Sequence, residues 1–435
     1  MKQSLLVAIL VSIAFATASW LLPAQAQASS GTITGRFVFT QMQLNCGVGT
    51  GTKYPCTEQG QTSGARRARV EVRRASDGQT LGTNFTDSTG TFSVGWTDNT
   101  ATGNVSVTLR WRPIHADGRF QIGNNVGALW ALNVSGTTTA INGGPTPIGT
   151  KNWGNNRVAN VYDGAVKMWE NSLSQSNRML SFFGNLTPGG AGATQYVDIR
   201  TEVDDGSCPT GAATDDLNRI CLPTSAYYEN QFRVMHEMGH LASFRATRDQ
   251  TAFARADTSL NGSGWNATSG EWFSRQFTEG VATALGNVGL YFANASQPFS
   301  CGSDTQCDAA VDGLNLETSS NCATLRRAEI SNERYFWDIY DSSADGSDNL
   351  NRGVFEIVDT IHAFDLGTGN AQKSEVGASI TDPDGHSTLD FVNRWIVFGT
   401  NSTAVLTQNC TPSGQAIDTA TTGCTPAGGN CPAPD

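Results

Sequence analysis

The sequence is poor in charge, in histidine and in closely spaced cysteine pairs. Charged residues make up 15% of the 435 residues, and five histidines occur. There is no C-x-x-C pair, which argues against a zinc site built from cysteines. Acidic residues outnumber basic ones by 39 to 28, so the formal charge is −11 and the overall field repels phosphate backbones. We therefore expect no nucleic-acid partner.

Long apolar runs are absent beyond the N-terminus, where one run extends from Leu5 to Leu22. Lys2 precedes this run and the small residues of 24–28 follow it, as in a secretory signal peptide with its cleavage site. The sequence predicts a signal peptide over 1–28, with an uncleaved membrane anchor as the alternative. We expect a secreted, periplasmic or cell-surface protein without stable membrane association.

Ten cysteines follow the predicted signal peptide, and an even number in an exported chain predicts disulfide bonds. Cys46 and Cys56 bracket a short loop, and Cys208 and Cys221 bracket an acidic one. Both pairs are predicted to form local bridges. The sequence leaves open how the other six cysteines pair: Cys301, Cys307, Cys322, Cys410, Cys424 and Cys431.

Short strands are predicted between residues 31 and 140. Residues 69–73 and 105–110 alternate apolar and polar side chains with the period of a half-buried strand. A turn at 76–79 and the sequence Thr-Asp-Ser-Thr-Gly-Thr-Phe at 86–92 lie between them. This arrangement resembles the carboxypeptidase regulatory-like family of small β-sandwiches, which are similar to transthyretin. The resemblance implies a fold for 31–140 and no chemistry.

The same segment contains a cluster of five arginines, Arg66, Arg67, Arg69, Arg73 and Arg74. Such a cluster is either the solvated face of a strand or a docking patch for an acidic polymer or lipid head group. Because Glu71 interrupts the cluster, the solvated face is the favoured interpretation.

The periodicity changes after a Gly-, Pro-, Asn- and Thr-rich stretch at 141–156, which is predicted to be a linker. A strand at 196–201 and several helical patterns follow, so strands come early and helices late between 157 and 405. A Cys/Thr/Pro/Gly-rich tail covers 406–435. The predicted fold class is multidomain, with an N-terminal all-β sandwich followed by an α+β domain that is mainly helical in its C-terminal half.

His236-Glu237-Met238-Gly239-His240 forms an H-E-x-x-H motif on a predicted helix. The one-turn spacing puts His236 and His240 on one helical face, where both imidazoles can reach a single tetrahedral Zn²⁺. Glu237 lies about 100° around the helix, near the open coordination position, where it can accept a proton from water. The motif predicts a catalytic zinc site with Glu237 as the general base.

A catalytic zinc site normally has three protein ligands, so a third is needed. Glu279 is the favoured candidate because it shares a helical face with the small residues Ala282 and Gly286, which allow another helix to approach closely. The other candidate carboxylates are Asp249, Asp257 and Glu271.

The H-E-x-x-H motif and the downstream sequence Glu279-Gly280-Val281-Ala282 resemble those of the gluzincins, the thermolysin-like zinc peptidases. This resemblance implies a zincin-like metallopeptidase domain over 157–405 that cleaves proteins or peptides as an endopeptidase. It also implies that His236, His240 and Glu279 are the zinc ligands and Glu237 the base. Glu279 follows His240 by 39 positions, about twice the thermolysin separation, so no particular peptidase family is implied.

Several assignments stay open. The alternative function is an extracellular binding or adhesion protein with a structural or catalytically silent zinc site, which would lack an open fourth coordination position. Asp338 is a candidate second-sphere partner of a ligand histidine. An exposed acidic loop is the favoured interpretation of Asp341, Asp345, Asp348 and Asn349, and a Ca²⁺ site is the alternative. The transition-state donor is not identified among Tyr291, Tyr335, Tyr340, His362 and His386.

The predicted strand at 196–201 is interpreted as an edge strand. An edge strand offers unpaired backbone groups, so it could align an extended peptide substrate by β-augmentation.

Overall fold

The computed structural model describes the chain in ranges that cover most of its first 175 residues and selected elements beyond them. These ranges are 27–46, 53–54, 56–124, 126–175, 197–201, 213–214, 219–222, 231–247, 273–291, 299–300, 313–316, 329–340, 354–362 and 391. The predicted signal peptide up to residue 26 and the predicted tail over 406–435 lie outside them.

Strands dominate the early part of the described chain. They are β1 (Ser29–Cys46), β2 (Lys53–Tyr54), β3 (Cys56–Gly64), β4 (Ala68–Arg74), β5 (Thr80–Phe85), β6 (Thr91–Asp98), β7 (Val105–His115), β8 (Phe120–Gly123), β9 (Leu132–Asn133), β10 (Thr138–Ala140), β11 (Pro145–Asn155), β12 (Val197–Thr201), β13 (Ala213–Thr214), β14 (Arg219–Leu222), β15 (Phe299–Ser300) and β16 (Gly313–Asn315). The sheet-rich N-terminal region that the alternating pattern predicts is confirmed.

Helices occupy most of the later described residues. They are α1 (Arg157–Asn171), α2 (Gln231–Thr247), α3 (Phe273–Leu290), α4 (Glu329–Tyr340) and α5 (Val354–His362), with a 3-10 turn at Leu173–Gln175. The start of α1 is capped by Asn156, whose side-chain Oδ1 accepts a hydrogen bond from the Ala159 N–H at 3.0 Å. None of the described helices combines the length and the apolar character needed to cross a bilayer.

The described strands form three sheets. One has three strands in the order β15-β16-β2, and a second has the order β11-β1-β3 with β6 also paired to β1. The third, which we call the larger sheet, has nine described strands, in the order β13-β14-β12-β8-β7-β4-β5 with β9 and β10 beside β7. Buried and exposed residues alternate strictly along β6, because one side of each such strand faces a core and the other faces solvent.

The prediction of a linker over 141–156 is wrong for most of that stretch. Pro145–Asn155 form β11, which pairs in parallel with β1 from Thr32↔Pro145 to Thr40↔Asn155. Glycine and proline in this stretch are compatible with an edge strand, and β1 supplies hydrogen-bonding partners on one side. Composition alone could not reveal this pairing, because the partner lies more than 100 residues earlier.

The larger sheet also crosses the predicted domain boundary. The strand β8, from the predicted sandwich, pairs in parallel with β12 from the second predicted domain, in register Val197↔Phe120. On its other side β12 pairs in parallel with β14. The strand predicted at 196–201 is therefore confirmed, but the expectation that it lies at an edge is wrong. The outermost described strand at this end is β13, which pairs antiparallel with β14.

The inner face of the larger sheet is apolar and is covered in part by helix α1. The Tyr162 ring of α1 contacts the Trp111 ring at a centroid distance of 5.3 Å and the Phe120 ring at 5.7 Å. All three side chains are almost fully buried. Helix α2 then packs on α1 so closely that a Cβ added at Gly164 would lie 2.8 Å from the Gln231 carbonyl oxygen.

A buried polar network joins the N-terminal sheet to the first residue of α2. The Gln41 amide of β1 donates to Gln231 Oε1 at 2.8 Å, and the Gln231 amide donates to Asp163 at 3.0 Å. Lys167 also donates to Gln231 Oε1 at 2.8 Å. Because Gln41, Asp163 and Gln231 are buried, each depends on this network for its hydrogen bonds. The N-terminal sheet thus takes part in holding the position of α2.

Three of the ten cysteines lie in the described residues: Cys46, Cys56 and Cys221. The register of β1 and β3 places Cys46 directly opposite Cys56. Cys221 is disulfide-bonded and fully buried. Its predicted partner Cys208 lies outside the described residues, as do the six cysteines whose pairing the sequence left open.

Candidate metal centre

The candidate metal centre is built on α2 and α3, which cross at close range. On α2 the apolar side chains of Val234, Met238 and Leu241 are fully buried, which anchors one side of the helix in the core. The two histidines of the H-E-x-x-H motif project from another side, as the one-turn spacing predicts.

Glycine makes the close crossing possible. A Cβ added at Gly239 would lie 2.4 Å from the Ala282 carbonyl oxygen and 2.7 Å from its Cα. Such distances are shorter than real Cβ contacts, so α2 could not approach α3 this closely with a larger residue there. The close helix approach expected from the small residues Ala282 and Gly286 is therefore present.

Three side chains come together at this crossing: His236, His240 and Glu279. Glu279 Oε2 lies 3.2 Å from His236 Nε2 and 3.2 Å from His240 Nε2. The two imidazole rings are nearly perpendicular, with centroids 4.5 Å apart. The potential ligand atoms of the three residues all lie within 4.8 Å of one another.

These distances fit a zinc ion. Zinc–ligand bonds of about 2.0–2.1 Å in a tetrahedron place neighbouring ligand atoms roughly 3.4 Å apart. The two 3.2 Å separations from Glu279 are close to that value. Two imidazoles and one carboxylate are also a donor set that zinc accepts. The residues present therefore suit a three-ligand zinc site.

Thr283, a residue that the H-E-x-x-H motif does not reveal, contacts one of the histidines. Its Oγ1 lies 2.8 Å from His236 Nδ1, and the Thr283 side chain is fully buried. With a metal ion at Nε2, Nδ1 would carry the ring proton and donate it to Thr283 Oγ1, which would fix the orientation of the imidazole. Thr283 lies one helical turn after Glu279, and that spacing is the signal that could have found it.

Burial and charge act in opposite directions on Glu279. Burial alone would raise the pKa of this carboxyl, but the two nearby histidines, with His240 the stronger influence, lower the pKa well below its ordinary value. The carboxylate form that a metal ligand requires is therefore favoured at neutral pH.

Glu237 lies next to His236 on α2 and is 3% exposed. It does not belong to the group of three potential ligands. This separation is consistent with the different role that the motif predicts for it.

The remaining predicted site residues contribute less or lie outside the described parts. Tyr335 is buried and packs against Phe336 and Phe391, and the Tyr340 hydroxyl donates to the Tyr291 carbonyl oxygen at 3.2 Å. The following lie outside the described residues or have side chains that do: Asp249, Asp257, Glu271, Asp338, Asp341, Asp345, Asp348, Asn349, His362 and His386. The transition-state donor thus stays unidentified, and the calcium and second-sphere predictions stay predictions.

Comparisons with protein families, with curated proteins and with solved structures found no match to this chain. The chemistry of the site is therefore inferred from its own residues.

Proposed function

We propose that this protein is a secreted zinc-dependent metallopeptidase of the zincin type, with His236, His240 and Glu279 as zinc ligands and Glu237 as the general base. The observation that carries the proposal is the convergence of His236, His240 and Glu279, with 3.2 Å between Glu279 Oε2 and each Nε2 atom. Two ligands come from the H-E-x-x-H motif on α2, and the third, Glu279, comes from α3.

A zinc ion held by three protein ligands supplies Lewis acidity and lowers the pKa of water to about 7. The chain itself supplies the proton transfers. Glu237 takes a proton from the attacking water and delivers it to the leaving amine nitrogen, as a general base and then a general acid. Thr283 holds His236 in the tautomer that keeps Nε2 free for the metal.

The edge of the larger sheet offers a place for an extended substrate. β13 is the outermost described strand at this end and contacts α2, the helix that carries the H-E-x-x-H motif. A peptide that pairs with the side of β13 opposite to β14, where no described strand lies, would run beside that helix, held by backbone hydrogen bonds. This strand replaces the one at 197–201 as the proposed substrate-aligning edge.

The test separates metal binding from proton transfer. Glu237→Gln leaves the three ligands in place, so we expect zinc to remain bound at one ion per chain. Hydrolysis of a peptide library should fall by about 10²–10⁴-fold, because an amide cannot take up the proton. Glu279→Ala removes a ligand, so zinc affinity should fall, and added zinc should restore part of the activity.

Two outcomes would contradict the proposal. One is a Glu237→Gln variant that cleaves peptides as fast as the parent protein. The other is a parent protein that holds one zinc per chain, with four protein ligands by X-ray absorption, and cleaves nothing. The second outcome would favour the extracellular binding protein with a structural zinc site.

A further inference from the structure

The outer face of the larger sheet, on the side opposite to α1, is strongly basic. Side chains of β4, β7 and β12 point in turn to the buried inner face and to this outer face, and Arg219, the first residue of β14, is partly exposed. The basic members of the outer face are Arg69, Arg73, Arg110, Arg112, Arg200 and Arg219, and the acidic ones are Glu71 and Asp198. Among the described side chains of this face, six positive charges minus two negative ones leave +4, although the whole chain carries −11.

The strand register brings these arginines together. Arg69 lies directly opposite Arg112, and Glu71 lies opposite Arg110. Arg219 lies opposite Asp198 on the neighbouring strand, and Asp198 lies opposite Gln121. Since neighbouring strands are about 4.8 Å apart, the five strands from β14 to β4 spread the charges over roughly 19 Å. We call this surface the arginine face.

The five arginines clustered in the sequence do not all belong to the arginine face. Arg66 and Arg67 form ion pairs with acidic residues of α1, at 3.0 Å to Asp163 and 2.8 Å to Glu170 respectively. Arg74 forms an ion pair with Asp98 at 2.7 Å. The arginine face instead combines the other two members of that cluster with arginines from distant strands.

The carboxylates of the arginine face do not neutralise it. Glu71 is shared by Arg69 at 3.6 Å and Arg112 at 3.4 Å, and Asp198 pairs with Arg200 at 2.9 Å. Within the described part of the chain, Arg73 and Arg110 have no carboxylate at ion-pair distance. Burial, followed by the positive charges of Arg73 and Arg112, lowers the pKa of Arg110. Like charges at facing positions of a sheet destabilise it, so an anion bound here would relieve repulsion.

The side chains around these charges favour a polysaccharide among anionic ligands. The side chains of Arg69, Arg112 and Arg200 are 20–34% exposed, so their guanidinium groups can be reached from solvent. Amide groups accompany them, such as Asn133, whose Oδ1 accepts from Arg110 Nε at 2.9 Å. The exposed large apolar residues among those described are Val126 and Ile141, and neither belongs to a strand of this face, although the loop of Val126 reaches its margin where Gly127 lies against Arg200. Lipid and peptide partners usually require apolar anchors.

We propose that the arginine face binds a linear acidic polysaccharide, whose carboxylate or sulfate groups pair with the guanidinium groups and whose hydroxyls pair with the amides. Arginine suits this role because its planar fork can donate two parallel hydrogen bonds to one anionic group. The inference is independent of the proposed peptidase activity, because α1 and the metal centre lie on the other side of the sheet.

The test measures binding of heparin and of a polyuronate to the full zinc-loaded protein by titration calorimetry at several salt concentrations. Arg73→Gln combined with Arg110→Gln should weaken binding about tenfold or more, and the dependence of affinity on salt should become less steep. The matched control is Arg36→Gln combined with Lys151→Gln, which removes the same charge from β1 and β11 and should leave binding unchanged. Zinc content should be unchanged in both double variants, and neither should lose thermal stability, because Arg73→Gln with Arg110→Gln removes repulsion between like charges.

Three results would overturn the proposal. The parent protein could bind neither polysaccharide at low salt, the Arg73/Arg110 variant could bind as tightly as the parent, or the control variant could lose as much affinity as the Arg73/Arg110 variant. Tighter binding of polyglutamate than of either polysaccharide would assign the face to acidic proteins instead. Tighter binding of anionic phospholipid vesicles would assign it to membranes. Neutral dextran should not bind, and binding of dextran would show that charge is not the basis of recognition.

Discussion

The Nδ1 atom of His236 lies 2.8 Å from Oγ1 of Thr283, a residue on a different helix and 47 positions later in the chain. In the proposed zinc site this contact would hold the imidazole with Nε2 directed towards the metal. Thr283 therefore belongs to the candidate metal centre, although it offers no ligand in the proposed coordination.

Thr283→Val tests this role, because valine has nearly the same shape and lacks the hydroxyl. We expect zinc affinity to fall by about 10–100-fold, the usual cost of losing such an outer partner. Competition with a chromophoric chelator would measure the affinity. Thr283→Ser keeps the hydroxyl and should retain most of it. Equal zinc affinity in the valine variant and the parent protein would show that Thr283 does not orient His236.

Gly239 and Gly286 provide a matched pair for the helix crossing. Gly239→Ala places a Cβ 2.4 Å from the Ala282 carbonyl oxygen, so α2 and α3 must move apart. The free energy of unfolding and the zinc affinity should both fall, despite the gain in helix propensity. At Gly286 the nearest atoms would be 3.5 Å away, so Gly286→Ala should fit and stabilise the protein by up to about 1 kcal/mol.

Urea unfolding of both variants, with zinc titration, would check this prediction. If Gly239→Ala were as stable as Gly286→Ala and bound zinc equally well, the close crossing would not be needed for the site.

Acid should weaken the fold through His115. This residue is 1% exposed and stacks on Phe120, and burial lowers the pKa of its imidazole to about 4. An unfolded histidine has a pKa of about 6.5. As pH falls from about 6.5 to 4, the unfolded state takes up a proton that the folded state does not, so up to about 3 kcal/mol of stability is lost.

His115→Phe keeps a stacked ring that cannot be protonated. The free energy of unfolding of this variant should change less than that of the parent protein between pH 6.5 and 4.5. Urea titrations at both pH values would measure the difference. An identical pH dependence of the two proteins would exclude His115 as a source of acid sensitivity.

Limited proteolysis should leave Pro145–Asn155 intact in the folded protein. The backbone of this segment is paired with β1, and a protease must bind an extended, unpaired chain. We also expect no early release of a separate fragment that starts near residue 157, because β8 and β12 belong to one sheet. Mass spectrometry of the first fragments would check this, with a urea-unfolded sample as the control for cleavage. Early cuts between 145 and 155 would contradict the assignment of β11.

Most of the structural features that the sequence predicts correctly depend on residues close together in the chain. The alternation in β4 and β7 predicted strands because one side of each strand must face an apolar core. The spacing of His236 and His240 predicted that both imidazoles lie on one helical face. Glu279 could be favoured because its small neighbours on the same helical face imply a close helix crossing. Each of these inferences depends on residues within a few turns or a single strand.

Only the tertiary structure decided which distant segments meet. The pairing of β1 with β11 turned a predicted linker into a strand, and the position of β12 between β8 and β14 turned a predicted edge strand into an internal one. The arginine face and the contact of His236 with Thr283 arise in the same way. The periodicity of a segment indicates which side of a strand or helix faces a core. Which other segment packs against that side is decided by packing and hydrogen bonding between residues far apart in the chain.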